Sequence, residues 1–238
     1  MREAWHALEA LPCIELLGSD AELGLSDEVA SERLARDGAN RISGRPPESG
    51  FARFLRQLRE PLIYILIGSG AVALILREWV DAGVIFGVVL VNAVVGAIQE
   101  ARASNAIAAL ADRVPAQCRV IRSGVLRRCD ASALVVGDLI ALEAGDRVPV
   151  DLRLLAAHEL VVDEAMLTGE SLPVEKREAT LAASCELAER VNLAFAGTLV
   201  LRGTAKALVV ATANATELGR IAELMEACRR YAAGGDRK

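Results

Sequence analysis

The stretch VDEAMLTGESLPVEK, residues 162–176, lies in the middle of the fold that this sequence predicts, and it carries the first sign of chemistry. Its centre predicts a tight loop between apolar flanks, because Gly169 tolerates backbone conformations that other residues avoid. On such a loop Glu170 would be held outward, and a carboxylate fixed in this way can orient a water molecule and accept its proton. Taken alone, residues 168–171 are best explained as a solvated turn with a surface glutamate.

Short β-strands are expected on both sides of this stretch. Residues 117–122 and 125–129 flank Ser123-Gly124, which is typical of the two-residue turn of a β-hairpin. Further short apolar runs, separated by Gly, Asp or Pro, are expected as strands at 139–142, 148, 152–156, 160–162, 199–201 and 205–211. The pattern predicts an all-β core of the sandwich or partly open barrel type, followed by an amphipathic helix over 216–227.

Two apolar blocks without any charged residue, 62–76 and 84–98, precede the β region. Each block covers roughly 22 Å as a helix, which is short of the ~30 Å hydrocarbon core of a membrane. Flanking residues whose side chains reach the interface bring each block near spanning length. We therefore expect two transmembrane helices, at about 61–77 and 80–99. The alternative is a buried helical hairpin in a soluble core.

The arginines predict the orientation of this hairpin. The arginines nearest to the first block on its N-terminal side are Arg41, Arg45, Arg53, Arg56 and Arg59. Arg102 and Arg113 are the first to follow the second block, and only Arg77 lies between the blocks. Because cytoplasmic loops carry the excess of positive charge, both ends are expected in the cytosol and the turn from Arg77 to Trp79 outside. The expected location is the plasma (inner) membrane, with the N-terminus and the β domain in the cytosol.

Residues 1–60 are expected to form a polar, largely soluble segment without a signal peptide. Ser26 is a good N-cap for a helix, which Asp27 and Glu28 favour at its positive end and Gly38 ends. A break at 43–47 and a second amphipathic run at 51–59 follow.

The cysteine count and the charge exclude two classes of function. The chain has five cysteines and two histidines, without a CxxC pair, so a zinc site is not expected. The net charge of −5 gives no basic surface for a nucleic acid. Cys118 and Cys129 could face each other across the hairpin, although reduced thiols in a cytosolic domain are the favoured interpretation.

Residues 162–176, with Thr168-Gly169-Glu170-Ser171 at their centre, resemble the signature loop of the P-type ATPase actuator domain. Other segments are similar to segments of that family in the same order, namely Val136-Gly137-Asp138, residues 145–154, residues 192–198 and the run 209–221. One departure is Ala213-Asn214, where a Thr-Gly pair is usual. Upstream, residues 24–42 resemble the N-terminal cation-ATPase segment, and residues 91–100 resemble the end of the second span in calcium-pump-like members.

The resemblance implies an α+β membrane protein of four parts. These parts are a helical, cytosolic N-terminal cation-ATPase segment at 1–60, a two-helix transmembrane hairpin at 61–99, an actuator domain at 100–228 and a disordered tail at 229–238. The actuator domain of this family is an all-β fold, a distorted double-stranded β-helix with a sandwich-like appearance. The helix from Glu100 to Arg113 would connect the second span to it and act as a lever.

The function that the resemblance implies is a phosphorylation cycle. In such pumps an aspartate in a separate domain accepts the γ-phosphoryl group of ATP, and the actuator domain then rotates. A loop glutamate, which corresponds to Glu170, positions the water that hydrolyses the aspartyl phosphate. Thr168 and Gly169 would shape the loop around the phosphate, and Ser171 would support it.

The 238 residues contain neither a DKTGT phosphorylation motif nor a Walker-type phosphate loop. We therefore expect no cofactor or metal on the residues present. Mg²⁺, ATP and the transported cation, calcium by class, would be bound by the phosphorylation, nucleotide and later transmembrane domains of a complete pump. The family is one of ion-translocating hydrolases, but we expect this chain alone to be inactive.

Two other interpretations stay open. One is a membrane-anchored regulatory module that acts on a complete pump. The other is a soluble β-domain protein with a helical hairpin and no link to transport.

Overall fold

A computed structural model of the chain describes residues 4–41, 61–111, 117–169 and 172–234. The chain divides into two compact units, one formed by Met1–Ser43 together with Pro115–Lys238 and the other by Gly44–Val114. The break expected at 43–47 and the amphipathic run expected at 51–59 lie outside the described residues.

Helices and antiparallel strands make up these two units. The helices are α1 (Ala10–Leu16), α2 (Asp27–Asp37), α3 (Pro61–Ile75), α4 (Trp79–Ala111), α5 (Ala165–Thr168) and α6 (Glu217–Gly234). The strands are β1 (Gln117–Arg122), β2 (Val125–Asp130), β3 (Leu139–Glu143), β4 (Asp151–Asp163), β5 (Val174–Glu175), β6 (Leu193–Ala194) and β7 (Leu199–Ala211). The expected combination of N-terminal helices with a β domain is confirmed.

All seven strands pair antiparallel in one sheet with the order β2-β1-β3-β7-β4-β5, and β6 pairs with β4. The β1–β2 hairpin has the predicted two-residue turn. Ser123 and Gly124 adopt φ values of +50° and +74°, as a turn that matches the twist of the flanking strands requires.

Two long strands replace four of the short strands that the sequence suggests. The runs expected at 152–156 and 160–162 are one strand, β4, and those expected at 199–201 and 205–211 are one strand, β7. The apparent breaks are β-bulges, where the register between β4 and β7 shifts around His158 to Val162. Gly203 has a φ of +85° there, and a Cβ on it would lie 2.3 Å from the carbonyl oxygen of Glu159.

The main core lies on one face of this sheet. It includes side chains from both halves of β4, so the bulged sheet bends around a common centre. Four strands contribute its buried members Val120, Ile140, Leu142, Leu152, Leu154, Leu160, Val162, Val200 and Val209, and Leu134 joins them from the segment before β3.

The N-terminal residues pack on the β domain. Cys13 and Ile14 of α1 form a cluster with Leu139 and Leu208, and α2 contacts the loop before β3 through Ala30. Ser26 caps α2 as predicted, since its side chain accepts a hydrogen bond from the amide of Val29 at 3.3 Å. α2 ends at Asp37 and is followed by Gly38, at a φ of +82°.

Buried polar side chains join the same N-terminal residues to the β domain. The Arg153 guanidinium donates to the carbonyl oxygens of Leu8 and Ala179 at 2.9 and 2.8 Å. The Asn192 amide donates to the carbonyl oxygens of His6 and Ala179 at 2.9 and 2.6 Å. Residues 6–8 are therefore held by directional bonds as well as by apolar packing.

The second unit contains the helix pair α3 and α4. Gly70 lies at a close approach, because a Cβ on it would meet the Phe86 ring at 3.0 Å. Within α4, Trp79–Arg102 is long and apolar enough to cross a membrane, whereas the apolar helix Ile63–Ile75 is shorter. Only 17% of the best window of the longer helix is buried within this unit. Large apolar side chains such as Ile65, Ile75 and Val80 are exposed.

α6 follows a short turn that places its N-terminus on the β domain. The hydroxyl of Thr216 accepts from the amide of Gly219 at 3.0 Å, which is an N-cap bond. The helix continues to Gly234, beyond the end at 227 predicted from the sequence, because the Ala- and Arg-rich residues after Ala227 are good helix formers.

Candidate functional site

Residues 164–173 form an excursion from the end of β4. β4 ends at Asp163, the single turn α5 follows, and the chain returns as β5. Within β5, Val174 pairs with Val162 and Glu175 pairs with Val161. Both ends of the excursion, which we call the signature loop, are therefore fixed to the same part of the sheet.

Local hydrogen bonds define the first half of the signature loop. The carboxylate of Asp163 accepts from the amide of Ala165 at 3.0 Å, and the hydroxyl of Thr168 donates to the carbonyl oxygen of Glu164 at 3.2 Å. The amide of Gly169 donates to the carbonyl oxygen of Ala165 at 3.0 Å. Gly169 has a φ of +77°, the left-handed conformation that commonly ends a helix and that glycine adopts without strain.

A buried ion pair closes the base of the signature loop. The Glu164 carboxylate and the Lys176 ammonium are 2.6 Å apart, and their side chains are 1% and 0% exposed. The ammonium also donates to the carbonyl oxygen of Arg190 at 3.2 Å and lies 5.3 Å from the centroid of the Phe195 ring. This cation therefore interacts with three separate segments.

The electrostatics of this pair are dominated by the loss of water. Burial raises the pKa of the Glu164 carboxyl and lowers the pKa of the Lys176 ammonium, and the attraction between the two groups opposes both shifts. An ion pair of this kind contributes little net stability, because desolvation offsets much of the attraction.

Two of the four predicted site residues are described. Thr168 is the last residue of α5, and Gly169 is its C-cap. Glu170 and Ser171 lie outside the described residues, so their roles stay predictions. The apolar side chains of Met166 and Leu172, on either side of them, are 76% and 78% exposed.

The sequence interpretation did not include the Glu164–Lys176 pair. The available signal was an acidic residue at the start of the loop and a basic residue three positions after its end. Charged residues at loop ends are usually solvated, however, and only the pairing of β5 with β4 shows that these two are buried and adjacent.

Two aspartates in the segments that resemble the family support the fold rather than the signature loop. The Asp138 carboxylate accepts two hydrogen bonds from the Arg122 guanidinium, at 2.8 and 2.6 Å. The Asp151 carboxylate accepts from the amides of Ala196 and Glu217, at 2.9 and 2.7 Å, and so joins the start of β4 to α6.

A search for metal-ligand clusters and cavities covers the residues that the structure describes. Within the described parts of the chain, no group of three or more His, Cys, Asp or Glu side chains could hold a metal ion. A cavity of about 390 Å³ lies between the N-terminal residues and the start of α6, lined by His6, Arg190 and Arg220 among others.

Comparison with known families identifies both parts of the chain. Residues 112–226 match the model of the P-type ATPase actuator domain, and residues 5–73 match the model of the cation transporter/ATPase N-terminus.

Curated relatives agree with these matches. Cation-transporting ATPase pma1 of Synechocystis is 47% identical over 88% of this chain and 23% of its own length. Probable cation-transporting ATPase F of Mycobacterium tuberculosis is 46% identical over 94% of this chain and 25% of its own length. Calcium-transporting ATPase 1 of Lactococcus lactis is 39% identical over 85% of this chain and 23% of its own length. The chain spans about a quarter of the length of these relatives.

The matches follow one another along the chain in the order N-terminal segment, then actuator domain, and the signature loop lies inside the second match. This chain therefore belongs to the P-type ATPase family, and it contains the N-terminal segment and the actuator domain of that family.

Proposed function

We propose that this chain provides the N-terminal segment, the first transmembrane hairpin and the actuator domain of an ATP-driven cation pump. In the complete pump, Glu170 would direct water to the aspartyl phosphate of a separate phosphorylation domain. Thr168 and Gly169 would shape the loop around the phosphate, and Ser171 would support it.

The observation that carries this proposal is the anchoring of the signature loop. Residues that flank Glu170 are fixed by the β4–β5 pairing and by the ion pair of Glu164 with Lys176. Water activation needs a carboxylate that is held in place, and in this proposal the anchored residues on either side would hold Glu170. The exposed Met166 and Leu172 give this loop an apolar border against which a partner domain can close.

The helix pair supports a membrane location. Lipid would cover its exposed apolar side chains, and the arginine distribution favours an actuator domain in the cytosol. We propose the plasma (inner) membrane as the location. α3 is short for a span, so the helix would need its flanking residues or a thinner bilayer.

The proposed substrate is a cation, and calcium is the proposed ion because several relatives carry the name calcium-transporting ATPase. Mg²⁺ and ATP would be bound by the domains of the complete pump. Bound there, ATP would supply the phosphoryl group that the signature loop helps to release, and Mg²⁺ would neutralise its phosphate charge. In this proposal, the described residues of this chain bind neither Mg²⁺ nor ATP.

The test is the rate of dephosphorylation in a complete pump that contains this sequence. The pump is phosphorylated with labelled ATP, chased with unlabelled ATP, and the remaining phosphoenzyme is measured over time. Glu170→Ala should slow the decay by about 10²-fold or more, the contribution typical of a positioned general base. Glu175→Ala is the matched control, because Glu175 is an exposed carboxylate on the adjacent strand. Equal decay in both variants would remove Glu170 from this role.

The regulatory-module interpretation makes a different prediction. The chain would then alter the turnover of a pump supplied on a separate polypeptide, and the alteration would persist in Glu170→Ala. Failure of the chain to sediment with membranes after carbonate extraction would contradict both proposals, since each requires insertion of the helix pair.

A further inference from the structure

A pair of cysteines faces each other across the β1–β2 hairpin, away from the signature loop. Cys118 and Cys129 are directly opposite in the antiparallel register, and their sulfur atoms are 3.3 Å apart. We propose that these two thiols form an oxidisable dithiol site, which a low-molecular-weight disulfide of the glutathione type converts reversibly into an intramolecular disulfide.

The backbone geometry is compatible with this bond. Directly opposite residues in an antiparallel ladder have Cα atoms about 4.5 to 5.5 Å apart, which lies within the range found in disulfides. Both side chains already point to the same face, where they pack against the main core. The two sulfur atoms therefore need only a small approach, without movement of either strand.

Both thiols are also within reach of a reagent from solvent. Cys118 and Cys129 are half-buried, whereas Cys13 is fully buried. They lie near the outer edge of the sheet, because β2 is the terminal strand of its order. A reagent can reach this edge without opening the core.

Their different surroundings assign different roles to the two sulfurs. The hydrogen bond with Cys118 and the charge of Arg122 lower the pKa of Cys129, against its burial and the charges of Asp138 and Asp130. The hydrogen bond with Cys129 and partial burial raise the pKa of Cys118. Since the thiolate is the nucleophile, we take Cys129 as the sulfur that attacks first, and the single variants below test this order.

The reaction proceeds by two thiol–disulfide exchanges. The Cys129 thiolate attacks one sulfur of the small disulfide, which breaks the disulfide bond and releases one thiolate while a mixed disulfide forms. Cys118 then loses its proton to solvent and attacks the Cys129 sulfur, releasing the second thiol. Two protein thiols are oxidised to one disulfide, and one small disulfide is reduced to two thiols, so that electrons and atoms balance.

The test uses the full chain in detergent, treated with oxidised glutathione, quenched with acid, alkylated and digested. Peptide mapping by mass spectrometry should find the Cys118 peptide joined to the Cys129 peptide, with loss of alkylation at both positions. Dithiothreitol should restore both thiols. Amide exchange in β1 and β2 should slow in the oxidised form, because the cross-link opposes opening of the hairpin.

Single variants separate the two exchanges. Cys118→Ser should accumulate a stable glutathione adduct on Cys129, whereas Cys129→Ser should give much less adduct on Cys118. The exposed Cys228 reports that the reagent was active. Full alkylation of Cys118 and Cys129 under conditions that modify Cys228 would overturn the proposal, and so would a Cys129 adduct that never resolves in the unmutated chain. The search for an unresolved Cys129 adduct uses the unmutated chain, so it does not depend on whether the variants fold.

Discussion

The Glu164 carboxylate and the Lys176 ammonium meet at 2.6 Å under the signature loop, although twelve positions separate them in the chain. The contact brings together the residue before α5 and the residue after β5. Because both side chains are buried, each is the principal compensation for the charge of the other. The base of the loop therefore depends on both partners being present.

The first prediction concerns the loss of one partner. Lys176→Met should lower the free energy of unfolding by about 3 to 5 kcal/mol, because it leaves the Glu164 carboxylate buried without a counterion. Glu164→Gln should also destabilise, by a smaller amount, since the amide keeps a polar contact with the ammonium. The measurement is chemical denaturation of the full chain, with amide exchange over residues 164–176.

The double variant separates pairing from burial. Glu164→Gln with Lys176→Met should be close to the unmutated chain in stability, because both pKa shifts have the direction that burial dictates. The desolvation of the two charged groups then costs about as much free energy as the attraction between them contributes. Additive losses in the double variant would show that each residue acts through separate contacts.

The second prediction compares two glycines that both have positive φ. Gly169 has open space where a Cβ would be placed, so Gly169→Ala should cost only the backbone strain, about 1 kcal/mol. At Gly203 the added Cβ would lie 2.3 Å from the Glu159 carbonyl oxygen, which belongs to the paired strand. Gly203→Ala should therefore destabilise the β domain by clearly more, and thermal unfolding of the two variants measures the difference. Equal melting temperatures would argue against this close approach.

The sequence predicts those parts of the fold that local chemistry controls. The hairpin turn at Ser123-Gly124 and the N-cap at Ser26 are local signals, and both are confirmed. The merging of four predicted strands into β4 and β7 could not be predicted from local sequence. A bulge is defined by the pairing of a strand with its neighbour, and that pairing joins residues far apart in the chain.

In the candidate site, too, the locally encoded part could be predicted from the sequence and the part that depends on strand pairing could not. The signature loop is visible in the sequence through residues 168–171. The ion pair beneath it depends on the pairing of β5 with β4, which involves only two residues of each strand. A two-residue strand has too little periodicity to be found in a sequence.

The third prediction concerns the attachment of the N-terminal residues. Arg153 donates to the carbonyl oxygens of Leu154, Asn192, Leu8 and Ala179. Arg153→Met should leave these buried acceptors without their donor and cost more than about 3 kcal/mol. Amide exchange over residues 5–17 should accelerate first. The control is Arg202→Met, because Arg202 is exposed on β7. Unchanged protection of residues 5–17 in Arg153→Met would show that apolar packing alone holds them.

The fourth prediction follows from the departure at Ala213. This alanine has a φ of +50°, in the left-handed region, which costs a residue with a Cβ about 1 to 2 kcal/mol. The turn contacts use its backbone alone: its amide donates to Asn40 at 2.7 Å, and its carbonyl oxygen accepts from the Thr216 hydroxyl at 2.7 Å. Ala213→Gly keeps these bonds and removes the strain. It should therefore raise the free energy of unfolding by about 1 kcal/mol, or the melting temperature by roughly 2 to 4 °C.

The matched control for this variant lies two residues further along the same turn. Ala215 belongs to the same short helical turn but has no positive φ, so Ala215→Gly should lower stability by about 0.5 to 1 kcal/mol through the added freedom of the unfolded chain. Opposite signs for the two substitutions would locate the strain at Ala213. A loss of stability in both would mean that the backbone at Ala213 is not strained, because relief of strain is the only effect by which glycine can stabilise that position.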